Sequence, residues 1–238
     1  TALFEVDLTV LGGGILGFFG PKGAGKTTLL NVLWGFQRPT TGSVLLDGDD
    51  ITGWPAFRIA RRGVARTFQA VRLFPELTVL ENIQIGAAGV GQSLAAAQRR
   101  AREVATHLDL EERLDLRAGA LPYGEERRVG IARALAMEPN FLMLDEPAAG
   151  LNDVELEELL SVLQGLPAAF GCGLLVVEHN MRLIMALCEN IHVLAEGRSL
   201  ADGPPDDIRH NSDVRRAYLG VASDTRTASP AEAPSNVT

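Results

Sequence analysis

The sequence predicts an α/β fold built on a mostly parallel sheet, because short apolar runs alternate with helical patterns along the chain. Runs at 15–19, 141–144 and 174–177 are almost wholly apolar, which is typical of strands buried on both faces. The chain has 238 residues, of which 46% are hydrophobic. That is enough for a sizeable core in one large domain or two lobes.

Each remaining element follows from a local pattern. Alternating apolar residues predict a strand over 3–10, and the turn residues at 12–13 and 47–50 predict tight hairpins. Ser93 and Asn152 stand where helix N-caps are expected. The predicted strands are 43–46, 64–68 and 191–194, and the predicted helices are 29–34, 55–62, 93–108, 125–136, 152–163 and 181–189.

The mostly helical stretch 83–136 is predicted to be a subdomain inserted into a core formed by residues 1–82 and 137–220. Residues 1–220 would then form one domain. Beyond Val221 the sequence is rich in Ser, Thr, Ala and Pro without an apolar period. We therefore expect a disordered tail over 221–238.

Composition excludes several classes of function. The net charge of −8 argues against nucleic acid as the main partner, since proteins that bind polyanions usually carry a basic face. The two cysteines indicate neither a metal site nor a disulfide framework. The longest apolar runs are too short to span a bilayer, and the N-terminus does not resemble a signal peptide.

One stretch after the first apolar run fits the phosphate-loop pattern G-x-x-x-x-G-K-[ST]. A strand before it and a helix after it are the context that this motif requires. Gly-rich backbone N–H groups and a helix N-terminus form an anion site, to which a lysine adds a mobile charge. The candidate nucleotide-binding residues are Gly20, Pro21, Lys22, Gly23, Ala24, Gly25, Lys26, Thr27 and Thr28. The match of 12–17 to G-x-G-x-x-G is rejected, because the residues after it read as a strand rather than a helix.

Polar residues end three of the other predicted strands. Asp145 and Glu146 follow one strand, His179 another and Gln69 a third. Parallel strands bring such ends to one sheet edge, where Asp145, Gln69 and the Thr27 hydroxyl can hold Mg²⁺. Glu146 can polarise an attacking water, and His179 can contact the γ-phosphate of a nucleoside triphosphate.

The order of these motifs, with Leu121-Pro122-Tyr123-Gly124-Glu125 between them, resembles the nucleotide-binding subunit of ABC transporters. The resemblance implies a RecA-like phosphate-loop NTPase core with N-terminal antiparallel strands and a helical signature subdomain. It implies two ATPase subunits that sandwich two ATP molecules, with Tyr123, Gly124 and Glu125 facing the nucleotide of the partner. It also implies that Glu146 is the catalytic base, His179 the switch histidine and Gln69 the sensor facing the membrane partner.

Shorter phrases are similar to those of the branched-chain amino-acid importer ATPases. They include Arg66-Thr67-Phe68-Gln69, Glu178-His179-Asn180-Met181 and Ala217-Tyr218-Leu219-Gly220. This resemblance implies a second ATPase subunit (identical or paralogous), two permease subunits and, indirectly, an extracytoplasmic solute-binding protein. It implies a peripheral protein on the cytoplasmic face of the membrane. ATPases for urea uptake and lipopolysaccharide export share parts of these phrases.

The sequence departs from the family pattern at three places. Pro122 replaces the usual signature serine, and Lys22 replaces an asparagine of the phosphate loop. The aromatic residue that stacks on adenine would precede Leu3, so we expect an N-terminal segment to be missing.

Two other classes are weighed against transport. An ABC ATPase acting on DNA or ribosomes usually has tandem ATPase halves or a long coiled-coil insertion, and neither pattern is present. The other class is a plain phosphate-loop kinase or GTPase. A kinase needs an acceptor pocket and a lid. A GTPase needs Asn-Lys-x-Asp, which is excluded because the only lysines, Lys22 and Lys26, lie in the phosphate loop. For transport, an apolar contact with a permease helix is predicted between Gln69 and Asn82. Its candidate residues are Val71, Leu73, Phe74 and Leu77, with burial of these four in the core of the subdomain as the alternative.

Overall fold

The fold is an α/β core in a computed structural model that describes residues 3–223, and the side chains up to residue 218. The main sheet has six strands in the order β4-β5-β6-β1-β7-β8, all parallel except β8. The strands are β1 Ile15–Phe19, β2 Leu45–Leu46, β3 Asp49–Asp50, β4 Val64–Arg66, β5 Phe141–Asp145, β6 Gly173–Glu178, β7 Asn190–Ala195 and β8 Arg198–Gly203.

Helices cover both faces of this sheet, as expected when parallel strands are buried on both sides. The helices are α1 Lys26–Leu33, α2 Ala56–Arg61, α3 Val79–Gly89, α4 Leu94–His107, α5 Tyr123–Leu135, α6 Asp153–Phe170, α7 Met181–Leu187, α8 Pro205–His210 and α9 Ser212–Ser223. In the described part of the chain, every helix is too short or too polar to cross a lipid bilayer.

β1 lies near the middle of the sheet, between β6 and β7, and all five of its residues are buried. Ile15 and Phe19 pack into a core with α3 to α7, whereas Leu16 and Phe18 pack with α1, α2 and the β2-β3 hairpin. β1 therefore links the two halves of the core, and the phosphate loop starts where it ends.

The prediction of a strand over 3–10 is wrong, because the structure has no strand in this segment. Its apolar side chains, Val6, Leu8 and Val10 among them, pack against the second core. Alternation here reflects one-sided burial rather than membership of a sheet. Among the described residues, the N-terminal antiparallel element consists of the short β2-β3 hairpin.

In the helical region, for which a subdomain over 83–136 is predicted, the first helix, α3, begins at Val79. A capping box between Thr78 and Glu81 starts α3, and Ser93 caps α4 as predicted. The capping box of Asn152 and Glu155 is confirmed, but α6 runs on to Phe170 rather than ending near 163.

The predicted tail over 221–238 is partly corrected, because α9 extends to Ser223. The remainder of that prediction, residues 224–238, lies outside the described residues.

Candidate functional site

The phosphate loop joins β1 to α1 and is shaped by glycines. Gly25 caps α1 with a φ of 110°, and Gly23 has a φ of 85°. Only glycine adopts these backbone angles without strain. Gly20 is needed for another reason, since a Cβ atom there would lie 2.6 Å from the backbone oxygen of Leu194. The first N–H groups of α1 follow directly and form a site for an anion.

Lys26 is buried within this loop. Its Nζ donates hydrogen bonds to the backbone oxygens of Gly20 (2.6 Å) and Pro21 (3.0 Å). Burial lowers the pKa of Lys26, while the carboxylates of Glu146, Glu178 and Asp145 oppose that shift. The ammonium is thus held in the loop, close to three acidic groups at the sheet edge. Lys22 and Thr27, in contrast, are exposed.

Asp145 ends β5 with its side chain mostly buried. Its Oδ2 accepts a 2.9 Å hydrogen bond from Nη2 of Arg66, at the end of neighbouring strand β4. Nη1 of the same arginine donates to Oδ1 of Asn31 on α1, also at 2.9 Å. The guanidinium therefore connects the helix of the phosphate loop to the strand that ends in Asp145.

Glu146 lies between two of the other predicted site residues. Its Oε2 accepts a 2.9 Å hydrogen bond from Nε2 of Gln69, and its Oε1 lies 3.4 Å from Nδ1 of His179. The backbone of Glu146 has a φ of 47°, and its N–H donates to the oxygen of Val177 on β6. A non-glycine residue held in this region is strained, and such strain concentrates at functional sites.

Glu178 is a site residue that sequence reasoning did not assign. Its carboxylate is 1% exposed and accepts hydrogen bonds from the backbone N–H groups of Ala148, His179 and Asn180. These three residues belong to the two loops that follow β5 and β6. The sequence signal for Glu178 was a charged residue at the end of an apolar strand. A carboxylate buried there requires hydrogen-bond donors, such as the backbone N–H groups of the neighbouring loops. Glu178 fixes one loop against the other.

The donor set of the predicted metal site fits Mg²⁺ rather than a softer metal. Thr27 offers a hydroxyl, Asp145 a carboxylate and Gln69 an amide oxygen, and Mg²⁺ prefers oxygen ligands. Within residues 3–223, no group of three or more His, Cys, Asp or Glu side chains is arranged to hold a metal ion. The phosphates of a nucleotide would have to supply the remaining ligands, as is usual for Mg²⁺.

The signature loop, Leu121-Pro122-Tyr123-Gly124-Glu125, contacts the loop after β5. α5 begins at Tyr123, not at Glu125 as predicted, with Pro122 as an N-cap that makes no side-chain bond. The Tyr123 hydroxyl donates to the backbone oxygen of Ala149 (3.1 Å). Among the described residues, no hydrogen bond joins this loop to the phosphate loop. The structure of one chain does not bring Tyr123, Gly124 and Glu125 together with residues 20–28.

The predicted permease-contact segment is divided between surface and interior. Phe74 is 50% exposed, whereas Val71, Leu73 and Leu77 are half-buried, and Leu73 packs against the core. Phe74 borders a cleft of about 380 Å³ between the sheet core and the helical region. Of the four candidates, Phe74 is the most exposed, and Val71 lines the same cleft.

Asn82 holds this segment in place, a role that the sequence analysis did not predict. It is fully buried in α3; its Oδ1 accepts from the N–H of Phe74 (2.9 Å), and its Nδ2 donates to the oxygens of Phe74 (3.0 Å) and Thr78 (2.9 Å). A buried amide that satisfies backbone groups in this way fixes the path of the loop.

Comparison with known proteins identifies the family. Residues 3–149 match the ABC transporter family, and residues 198–224 match a segment described as branched-chain amino acid ATP-binding cassette transporter. The chain is 43% identical to the high-affinity branched-chain amino acid transport ATP-binding protein BraF of Pseudomonas aeruginosa and 42% identical to LivG of Escherichia coli, named in the same words. Each comparison covers 93% of this chain and 92% of the relative.

More distant relatives agree. The lipopolysaccharide export system ATP-binding protein LptB of Escherichia coli is 37% identical, over 91% of this chain and 90% of its own length. The ADP conformation of MJ1267, an ATP-binding cassette of an ABC transporter, superimposes with a TM-score of 0.83 at 29% identity, over 92% of both chains. The dimeric structure of MJ0796, a bacterial ABC transporter cassette, gives 0.75 at 28% identity, over 86% of this chain and 90% of that one.

The extent of these matches and the common fold agree with the arrangement of phosphate loop, strand-end acids and signature loop. The chain therefore belongs to the ABC transporter family, as one of its ATP-binding cassettes.

Proposed function

We infer that this chain is the ATP-hydrolysing subunit of an ABC importer and that the importer carries branched-chain amino acids. The observation that carries the hydrolytic role is the environment of Glu146. Its carboxylate is bonded to Gln69 and adjacent to His179, at the sheet edge where the phosphate loop begins. A carboxylate oriented from two sides in this way is suited to act as a general base.

The reaction is attack of water on the γ-phosphate of ATP. The phosphates bind at the N-terminus of α1, and Lys26 neutralises part of their charge. Thr27, Asp145 and Gln69 would hold Mg²⁺ together with the phosphates, and the ion would supply further neutralisation of phosphate charge. Glu146 takes the proton of the attacking water, while Gln69 and His179 hold its carboxylate in position.

A second ATPase subunit, identical or paralogous, is needed to complete the site. The signature loop lies on the helical region and makes no hydrogen bond to the phosphate loop of its own chain within the described residues. The N-terminus of α5, at Tyr123, is available to an anion on another chain. The structure of the related MJ0796 cassette is described as dimeric, which supports the need for a second subunit.

Light scattering of the Glu146→Gln variant tests this arrangement. The variant should bind ATP without cleaving it, so that Mg²⁺-ATP shifts it to a dimer, either alone or with its paralogue. Adding Lys26→Ala to this variant should abolish the shift, because the phosphates lose their buried cation. If Glu146→Gln stays monomeric in Mg²⁺-ATP both alone and with its paralogue, the sandwich is contradicted.

The cleft beside Phe74 is the proposed contact with a permease. Phe68 and Phe74 line it and are 38% and 50% exposed, and apolar atoms dominate its surface. A short helix from a cytoplasmic permease loop would bury these rings. Phe74→Ser should abolish uptake and leave ATPase activity of the isolated subunit unchanged. Val154→Ser, at a site 69% exposed on α6, is the matched control.

The substrate assignment depends on the relatives. BraF and LivG are named for branched-chain amino acid transport, and the C-terminal match covers residues 198–224. We expect the subunit to lie at the cytoplasmic face of the membrane with two permease subunits, and a solute-binding protein to act indirectly. Uptake of labelled leucine by cells that express the chain with its own neighbouring transport genes should depend on Glu146. If the cells instead take up urea or export lipopolysaccharide, the chain belongs to one of those alternative transport systems.

A further inference from the structure

Arg66 is a buried cation for which the proposed reaction has no role so far. It is the last residue of β4, and its side chain is 3% exposed. Its two terminal nitrogens bond to Asp145 and Asn31, each at 2.9 Å. Its Nε is buried and makes no hydrogen bond within residues 3–218.

This pair is not readily explained as a stabilising contact. Removing two charges from water costs about as much as their attraction returns, so a buried ion pair is weak evidence for stability. A guanidinium is planar, however, and two bonds to different elements fix its plane. Because these elements are α1 and β5, Arg66 sets the position of one relative to the other.

Both of these elements carry proposed ligands of the same metal ion. Thr27 lies on α1, four residues before Asn31, so the two share a face of the helix. Asp145 ends β5, and Arg66 occupies one of its two carboxylate oxygens, Oδ2. The ion pair leaves Oδ1 as the carboxylate oxygen that could ligate the proposed cation.

We propose that Arg66 is a positioning residue that holds Thr27 and Asp145 in the relative geometry required by Mg²⁺-ATP. The proposal rests on the proposed function, since it needs a nucleotide in the phosphate loop. Mg²⁺ requires near-ideal octahedral geometry with short bonds, so small errors in ligand position reduce its affinity. Partners that orient a ligating carboxylate typically change metal affinity by about 10–100-fold when they are removed.

The test is the contribution of Mg²⁺ to nucleotide affinity, measured by binding of a fluorescent ATP analogue to the full chain. Each protein is assayed in excess EDTA and then titrated with Mg²⁺. Arg66→Gln should bind the analogue in EDTA as tightly as the wild type does. Its Mg²⁺ concentration at the midpoint of the affinity gain should be at least about tenfold higher. Arg62→Gln is the matched control, because Arg62 is an exposed arginine paired with exposed Asp49.

Two further variants separate geometry from charge and from folding. Asn31→Leu keeps the ion pair and removes the connection to α1, so it should shift the Mg²⁺ midpoint in the same direction. Arg66→Lys keeps the charge but cannot hold Asn31 and Asp145 in one plane, so it should not restore the wild-type midpoint.

The proposal is overturned if a folded Arg66→Gln has the midpoint of Arg62→Gln, or if Arg66→Lys restores it fully. Should Arg66→Gln fail to fold, an unchanged midpoint in Asn31→Leu overturns it equally. A wild-type protein that gains no affinity from Mg²⁺ would instead contradict the proposed function.

Discussion

Replacing Asn82 with alanine should loosen the segment between Gln69 and α3 without touching the nucleotide site. The side chain is fully buried and makes three hydrogen bonds of 2.9 to 3.0 Å to the backbone of Phe74 and Thr78. Each such bond contributes about 1 kcal/mol net. Thr78 keeps a helical partner for its oxygen, whereas the N–H of Phe74 loses the partner it has.

The expected loss is therefore about 2–3 kcal/mol in the free energy of unfolding. For a domain of this size, that corresponds to a fall in Tm of roughly 5–10 °C. Urea unfolding and calorimetry measure the two quantities, with Asn190→Ala as a control at an exposed asparagine. A loss below about 0.5 kcal/mol, the range of ordinary surface substitutions, would refute the role given to Asn82.

Three other changes test local features of the fold. Gly20→Ala should destabilise by about 1–3 kcal/mol and weaken ATP binding, because the new Cβ would lie 2.6 Å from the Leu194 oxygen; unchanged binding would contradict the close approach. Asn152→Ala should cost about 1 kcal/mol in urea unfolding, since two N–H groups of α6 lose their acceptor, and an equal midpoint would contradict the cap. Hydrogen bonds from Thr78 lower the pKa of Glu81 from 4.5, so its contribution is present at neutral pH and lost as pH falls through the lowered pKa. Glu81→Gln should therefore show a smaller loss of stability on acidification, and identical pH profiles would contradict this.

The sequence predicts the centre of this molecule well because the signals there are local. The apolar run of β1 and the glycines after it determine strand, loop and helix between residues 15 and 33. The acids at strand ends follow from the parallel order. The same holds for the capping box of Asn152. These elements need no knowledge of distant contacts.

Other features depend on contacts between distant parts of the chain and could not be predicted in this way. Arg66 and Asp145 are 79 residues apart, and no local sequence pattern at either residue predicts their contact. The alternation over 3–10 has the period of a strand, but the packing of that segment decides that it stays unpaired. Asn82 ends the segment predicted to contact a permease, and only the structure shows which backbone groups its amide binds.

The most direct test of the central claim is single-turnover hydrolysis of ATP by the wild type and by Glu146→Gln, with ATP affinity measured in parallel. If Glu146 is the base, the variant should bind Mg²⁺-ATP as tightly as the wild type and cleave it at least about 100-fold more slowly. Cleavage at the wild-type rate by a variant with normal affinity would contradict the assignment of the catalytic site.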